Sequence, residues 1–296
     1  MLSKEARNSS ERDVLSDIFG AHHPRGDVFF SGVLCGNSDH VGRGDVASDQ
    51  QGMLHVLQSG SVRVLMNGKP HLVLDRPGVI LLGKPTPHVL ETPETGSSLV
   101  CAHLEFPNPG PSPAKLGVPD CLALAFDDIP GLEAITSQLF FEAGHTQSGG
   151  KTAVNLLMAL LLLMVLRHCQ ANGLVTPGIL AALRDQRIAR VVGELHRDPG
   201  RNWSVESQAE IAGMSRASFA ALFRELMGSS PGEYVQAIRL DQAFAMLRAG
   251  QNLQSVAGSV GYRSTTALAR AIQLKHNVTP RQLQDDSSAD SDAFNI

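Results

Sequence analysis

Aromatic residues are scarce in this 296-residue chain: eleven Phe, two Tyr and a single Trp. Trp203 lies late in the sequence, so no pocket in the first half has it as a platform. Cysteines are few as well, and Cys35, Cys101, Cys121 and Cys169 form no C-x-x-C pair. They are expected to rest as thiols. The N-terminus, MLSKEARNSSERD, lacks the apolar stretch of a secretory signal. Long apolar runs are also missing. The strongest, AVNLLMALLLLMVL from Ala153 to Leu166, is interrupted by Asn155 and falls short of the ~18–20 residues a membrane span needs. It is expected to be a buried or dimer-forming helix, with no membrane contact and a cytoplasmic location.

What remains is ordinary globular composition, 43% hydrophobic and 18% charged. The length suits two domains. The net charge of −4 divides unevenly. Residues 184–284 carry thirteen Lys/Arg against eight Asp/Glu, whereas residues 1–183 carry twelve against seventeen. Four aspartates in 285–296 supply the rest. A positive field confined to one segment is what phosphate attraction requires.

The texture changes along the chain in the same places. DVLSDIFG (Asp13–Gly20) reads as a short amphipathic helix. From Val28 to about Phe106 come short β-type runs: VFFSGVLC, MLHVLQSG, SVRVLMNG, HLVLD, GVILL, HVLE and SLVCAHLEF. Gly, Pro and Asn-Gly punctuate them, which suggests an antiparallel sandwich or barrel. Asn67-Gly68 is a hairpin turn signal. A proline-rich crossing, PNPGPSPAK, precedes two expected helices, over Gly131–Ala143 and Thr152–Cys169. The expected organisation is α+β: residues 13–170 a sensing and dimerisation domain, 171–183 a linker, 184–284 an all-α domain, and 285–296 a disordered acidic tail.

Two helix-turn-helix patterns stand in the all-α segment, SVESQAEIAGMSRASFAALFREL (Ser204–Leu226) and LQSVAGSVGYRSTTALARAIQLK (Leu253–Lys275). Each has a short helix, a glycine in the turn (Gly213, Gly261) and a serine to cap the next helix (Ser215, Ser264). Two such patterns in tandem, joined by a further amphipathic helix, point to a two-headed reader of the DNA major groove. In the first recognition segment Phe219, Leu222, Phe223 and Leu226 share one face and are expected in the core. Arg216, Ala217, Ala220, Ala221 and Arg224 face away as candidate DNA contacts. Alanine admits close approach and can touch a thymine methyl, while arginine reads guanine or holds phosphate. In the second segment Arg263, Thr265, Thr266, Ala269 and Arg270 are the exposed candidates, and Leu268 and Ile272 the core. Between them Ser230, Pro231 and Glu233 form a capping box for a helix whose Tyr234, Ile238, Phe244 and Leu247 should be buried. Arg239 and Arg248 on that helix are expected near solvent or phosphate. A preceding helix, RIARVVGELHR, places Ile188, Val191, Val192 and Leu195 on one face.

Residues 184–283 resemble the DNA-binding domain of the AraC/XylS transcription regulators. The resemblance runs through LRDQRIARVVGELHRDPGRNWSVES, AGMSRASFAALFRELMGSSPGEY, SVGYRST and TPRQL. It implies sequence-specific binding to double-stranded promoter DNA, usually to activate transcription, with RNA polymerase as a partner. Gln208 stands where the family pattern has leucine, His276-Asn277 where it has phenylalanine-glycine, and Leu283 where it has tyrosine.

GDVFFSGVL, MLHVLQSGSVRVLMNGKPHLVLDRPGVILLGKPTPHVL and SLVCAHLEF resemble the cupin-type sensing domain of one branch of that family. The implied fold is a small β-barrel with a dimerising helical pair, here a homodimer through the helix around Leu156–Leu166, using Leu156, Leu160, Leu163 and Val154-side residues. The branch includes regulators of reactive-chlorine response that act through cysteine oxidation, and Cys101 matches a cysteine of that type. Cys101 and Cys35 are therefore redox candidates, His103 lying two residues beyond Cys101 on the same strand face. The plain alternative is that Cys101 is an inert strand residue. The effector is either an oxidant or a small organic molecule held in the barrel, with no effector-binding residue identified. His55, His88 and His103 are conceivable metal ligands, as in enzymatic cupins. The H-x-H with glutamate that supplies most ligands is missing near His55, so no metal, cofactor or catalytic residue is expected. A cupin-type metal-dependent enzyme and a DNA-binding repressor without sensing are the alternative functions.

Overall fold

In a computed structural model of the full chain the described residues are 13–21, 23–40, 50–106, 110–276 and 278–283. Asn277 and the expected acidic tail lie outside them. Contacts divide the chain into two compact units, Ile18–Ala181 and the residues from Ala182 onward, the latter grouped with residues up to Asp17.

Helix α1 (Val14–Ala21) lies across the division, and Asp13 Oδ1 accepts the Ser16 N–H at 3.0 Å. Six strands follow: β1 (Arg25–His40), β2 (Gln51–Ser59), β3 (Val62–Met66), β4 (Lys69–Leu74), β5 (Gly78–Leu82) and β6 (His88–Glu105). HVLE and SLVCAHLEF are thus one strand rather than two. Residues between them keep extended backbone because β1 pairs along the whole of β6, with a bulge near Leu34. After the short helix α2 (Pro113–Leu116) comes β7 (Leu122–Ala125), which the polar-apolar alternation did not announce.

All pairings are antiparallel, in the order β4-β3-β6-β2-β5-β7, with β1 on the other side of β6. The terminal strands β4 and β7 come into contact, so the sheet curls into a nearly closed barrel. Met53, Leu57, Val64, Ile80, Leu82, Leu90, Leu99 and Cys101 fill it. Each buried aliphatic side chain contributes roughly 1.5–3 kcal/mol of transfer free energy. The β3–β4 hairpin turns at Asn67 and Gly68, both left-handed (φ 51° and 70°). That conformation matches strand twist in a two-residue loop and suits only such residues.

Helices α3 (Leu132–Gly144) and α4 (Gly150–Asn172) pack on each other and on the barrel. At 23 residues α4 is longer than the apolar run suggested, and its length and composition alone would suffice to cross a bilayer. Met158, Leu161, Leu162 and Val165 are buried, however. Asn155, the interruption in the apolar run, accepts the backbone N–H of Gly26 in β1 at 3.0 Å. The polar residue docks this helix on the sheet.

The second unit is all helical: α5 (Ile179–Ala182, at the division), α6 (Gln186–Arg197), α7 (Val205–Ala212), α8 (Arg216–Met227), α9 (Pro231–Arg248), α10 (Leu253–Ser259) and α11 (Thr265–His276). Side chains of Asp185, Ser204, Ser215, Ser230, Asn252 and Ser264 each accept a backbone N–H from the first turn of the helix that follows. Such caps satisfy donors that a helix start leaves open. Thr279 and Gln282 form the same reciprocal bonds at the start of a closing turn over 280–283.

Candidate nucleic-acid interface and barrel histidines

Periodicity sorts α8 and α11 into two faces. Phe219 and Phe223 are fully buried, their rings 5.4 Å apart, and Leu222 and Leu226 are half-buried. Arg216, Ala217, Ala221 and Arg224 are exposed and Ala220 half-exposed. On α11 Leu268 and Ile272 are buried, while Thr266 and Arg270, like Arg263 in the turn ahead of the helix, are exposed and Thr265 and Ala269 partly so. Each helix-turn-helix therefore presents arginines around small residues to solvent, Arg216 and Arg224 on α8, Arg263 and Arg270 in and just before α11. Arg216 is held in an ion pair with Glu206 of α7 at 2.9 Å, its side chain still 70% exposed. Phosphate or a base edge would have to displace that carboxylate.

Arg239 departs from the expectation that it stays near solvent. Its Nε donates to the Pro199 carbonyl at 2.8 Å and a terminal nitrogen to that of Arg201 at 2.7 Å. The left-handed Gly261 sits against it: a Cβ there would meet the Gly200 carbonyl at 2.6 Å and the Arg239 guanidinium at 3.0 Å. The loop before the first helix-turn-helix, the connecting helix and the turn of the second are thereby fastened at one point. Spacing of the two readers depends on this tie as well as on the length of α9. Gln208 is buried, as its leucine-like position implied, and its Oε1 has no hydrogen-bond partner. His276 lies against Phe244, ring centroids 4.4 Å apart.

In the barrel unit the histidines gather more closely than sequence spacing indicated. His55 Nε2 and His88 Nε2 are 2.9 Å apart. His40, which stands in no motif of the sequence, completes the group, with ring centroids 5.2 Å from His55 and 5.4 Å from His88. Register explains the missed residue. His40 ends β1 directly opposite His88, the first residue of β6. His103 is half-buried beside them, 4.6 Å from the Phe29 ring. Burial, followed by the charge of His88, pushes His40 down to about 4. Burial and then its two neighbours hold His55 well below the ordinary imidazole range. His88 is lowered by burial too, against the opposing effect of its bond to the Thr86 carbonyl.

Cys101 faces the barrel core beside these rings, opposite His55 in register. The expectation that His103 favours its thiolate meets the reverse, since burial pushes the Cys101 thiol up to about 12. Cys35 is exposed. On α4, Leu156 and Leu160 are 59% and 41% exposed, Leu163 is half-buried and Val154 is buried.

Comparison with known proteins adds the family. Residues 13–171, more than half of the chain, match a family model described as a cupin, and residues 208–286 match a helix-turn-helix domain. An uncharacterized HTH-type transcriptional regulator of Haemophilus influenzae is 31% identical over 56% of this chain and 55% of its own length. MtrA, an HTH-type transcriptional regulator of Neisseria gonorrhoeae, is 28% identical over 62% of each chain. RclR of Escherichia coli, an RCS-specific HTH-type transcriptional activator, is 37% identical over 36% of this chain and 38% of its own. The chain spans about half the length of the first two relatives it matches, 55% and 44%. Among solved structures, the DNA-binding domain of AdpA in complex with a target DNA is 30% identical over 34% of this chain and 92% of that one, with a TM-score of 0.33. ToxT of Vibrio cholerae is 12% identical over 89% and 97%, with a TM-score of 0.39. With a cupin domain ahead of a helix-turn-helix domain, this chain belongs to the AraC-type transcription regulators.

Proposed function

We propose that this chain binds promoter DNA sequence-specifically and regulates transcription from it, with α8 and α11 as the two readers. The observation that carries the reading is the pair of capped helices, each burying its apolar face and exposing arginines around small residues. Arg216, Ala217, Ala220, Ala221 and Arg224 contact one major-groove segment, and Arg263, Thr265, Thr266, Ala269 and Arg270 the next. The excess of basic residues in 184–284 supplies phosphate attraction. The printed name of the Escherichia coli relative supports activation, hence a contact with RNA polymerase, and an oxidant signal. The protein is a regulator rather than an enzyme, working in the cytoplasm on nucleoid DNA.

The first unit, residues 13–170, senses and dimerises, with 171–183 as the link to a reader of 184–284. Leu156, Leu160 and Leu163 form the dimer face on α4, because two of them leave an apolar stripe in water. Of the redox candidates, Cys35 meets an oxidant directly, whereas Cys101 reacts only when the sheet opens. The test of the whole reading is binding to a fragment of its own promoter, with and without stoichiometric oxidant, for the parent and for Cys35→Ser and Cys101→Ser. Binding that depends on sequence supports the reader, and a shift lost in either variant supports the thiol signal. Equal affinity for unrelated DNA overturns the function.

A further inference from the structure

The two helix-turn-helix halves of the reader pack on different stretches of α9. Leu240, Ala243, Phe244 and Leu247 join Val256, Val260, Leu268 and Ile272 beneath the second half. The first half closes on the opening turn of α9. There Tyr234 meets the Phe223 ring at 5.7 Å, and its hydroxyl lies 2.7 Å from His196 Nε2 on α6. Two cores strung on one helix have only that helix to fix the angle between them, and helices curve.

Backbone and polar contacts join the halves directly. Loop 198–203, which leads into α7, abuts the turn between α10 and α11, glycine against glycine. A Cβ on Gly200 would run into the Ser259 carbonyl, and one on Gly261 would stand 2.6 Å from the Gly200 carbonyl. The Arg239 guanidinium lies along this seam. It donates to the Pro199 and Arg201 carbonyls at 2.8 and 2.7 Å, and a Cβ on Gly261 would meet it at 3.0 Å. Lys275, in the last turn of α11, pairs with Asp241 of α9 and donates to the Ala237 carbonyl. The second recognition helix is therefore held at both ends, its leading turn at Arg239 and its last turn at Asp241. A planar guanidinium carries its donors in a rigid fork. Two carbonyls on one fork fix direction as well as distance, which non-directional apolar packing does not.

We infer, on the reading of α8 and α11 as the two readers, that Arg239 is a positioning residue for operator specificity. By locking the halves into one body it sets the separation and phase of the two DNA segments that can be read together. Arg239 acts without touching DNA. Each base pair inserted between the segments moves the second by ~3.4 Å along the duplex and turns it by about 34°. The translation alone is several times the ~0.5 Å range over which a hydrogen bond stays good. A body locked at the seam cannot follow such a change, whereas halves hinged on α9 absorb part of it.

The test uses the full-length protein and the fragment of its own promoter that it protects from nuclease. One base pair is inserted or deleted between the two protected segments, and the ratio of affinities for native and altered spacing is read. The parent should lose about tenfold or more on either change, the scale of a mismatched base pair. Arg239→Met removes the fork and keeps the stem, and its ratio should fall toward one, with Arg239→Lys between the two. A merely weakened fold lowers affinity for every spacing alike and leaves the ratio where it was. Gly200→Ala pries the seam apart with Arg239 intact, and its ratio should fall as well. A parent that binds all three spacings equally overturns the assignment. So does a parental ratio in Arg239→Met or, should that variant not fold, in Gly200→Ala. A parent that binds unrelated DNA as tightly as its promoter is a different failure, that of the DNA-reading function, and it takes the spacing role with it.

Discussion

The helical reader and the β-barrel use polar side chains in opposite ways. On α8 and α11 the arginines stand in water on a face fixed by helical period, and the core beneath them is apolar. In the barrel the histidines are inside, brought together from β1, β2 and β6 and kept neutral by burial. An exposed face can change its chemistry at little cost to the fold. A buried cluster ties its chemistry to the stability of the sheet around it.

Removing the tie at Arg239 breaks this contrast most strongly, because there a charged group of the reader is structural. Two hydrogen bonds to carbonyls are lost in Arg239→Ala, and the reader should be destabilised by about 3 kcal/mol. Urea denaturation followed by Trp203 fluorescence checks it, and an unchanged midpoint refutes the tie. Gln208 puts a buried amide in the otherwise apolar packing beneath the first helix-turn-helix. Gln208→Leu removes a buried, unpartnered oxygen and should stabilise by about 1–2 kcal/mol, visible as a higher Tm.

Acid destabilises both units, in different windows. His40, His55 and His88 have folded pKa values below the ordinary 6.5. Above 6.5 both folded and unfolded chains leave them neutral and their contribution is complete. As pH falls from 6.5 to about 4, the value of His40, the unfolded chain binds protons that the folded barrel refuses, and stability is lost. The depressed groups of the reader are carboxylates, Asp185, Glu206 and Glu233, whose contributions fade only in the more acid carboxylate range. Barrel-specific hydrogen exchange should rise through the first window before the reader opens. Simultaneous opening contradicts the assignment. The smallest effect is expected at Glu206. Glu206→Gln frees Arg216 from an exposed, solvent-screened ion pair and should tighten DNA binding only slightly, measured by fluorescence anisotropy.

Legibility followed the same divide. Caps at Ser204, Ser215, Ser230 and Ser264, and the faces of α8 and α11, are local: everything that fixes them lies within a few residues. The Asn67-Gly68 hairpin was readable for that reason too. His40 was not, because its partner His88 is set by strand register, and a register is decided by the whole sheet. The burial that raises the Cys101 thiol is similarly a property of packing from β2 and β6 together, where sequence showed only a nearby His103. The carbonyls that hold Arg239 lie about forty positions away, beyond any helical pattern.

The most direct measurement of the central claim is promoter affinity for Arg216→Ala and Arg270→Ala beside the parent protein, with Tm recorded for each. Loss of about 1–3 kcal/mol of binding in each variant at unchanged Tm is the predicted result. Parental affinity in both folded variants would contradict the assignment of α8 and α11 as the surfaces that read DNA.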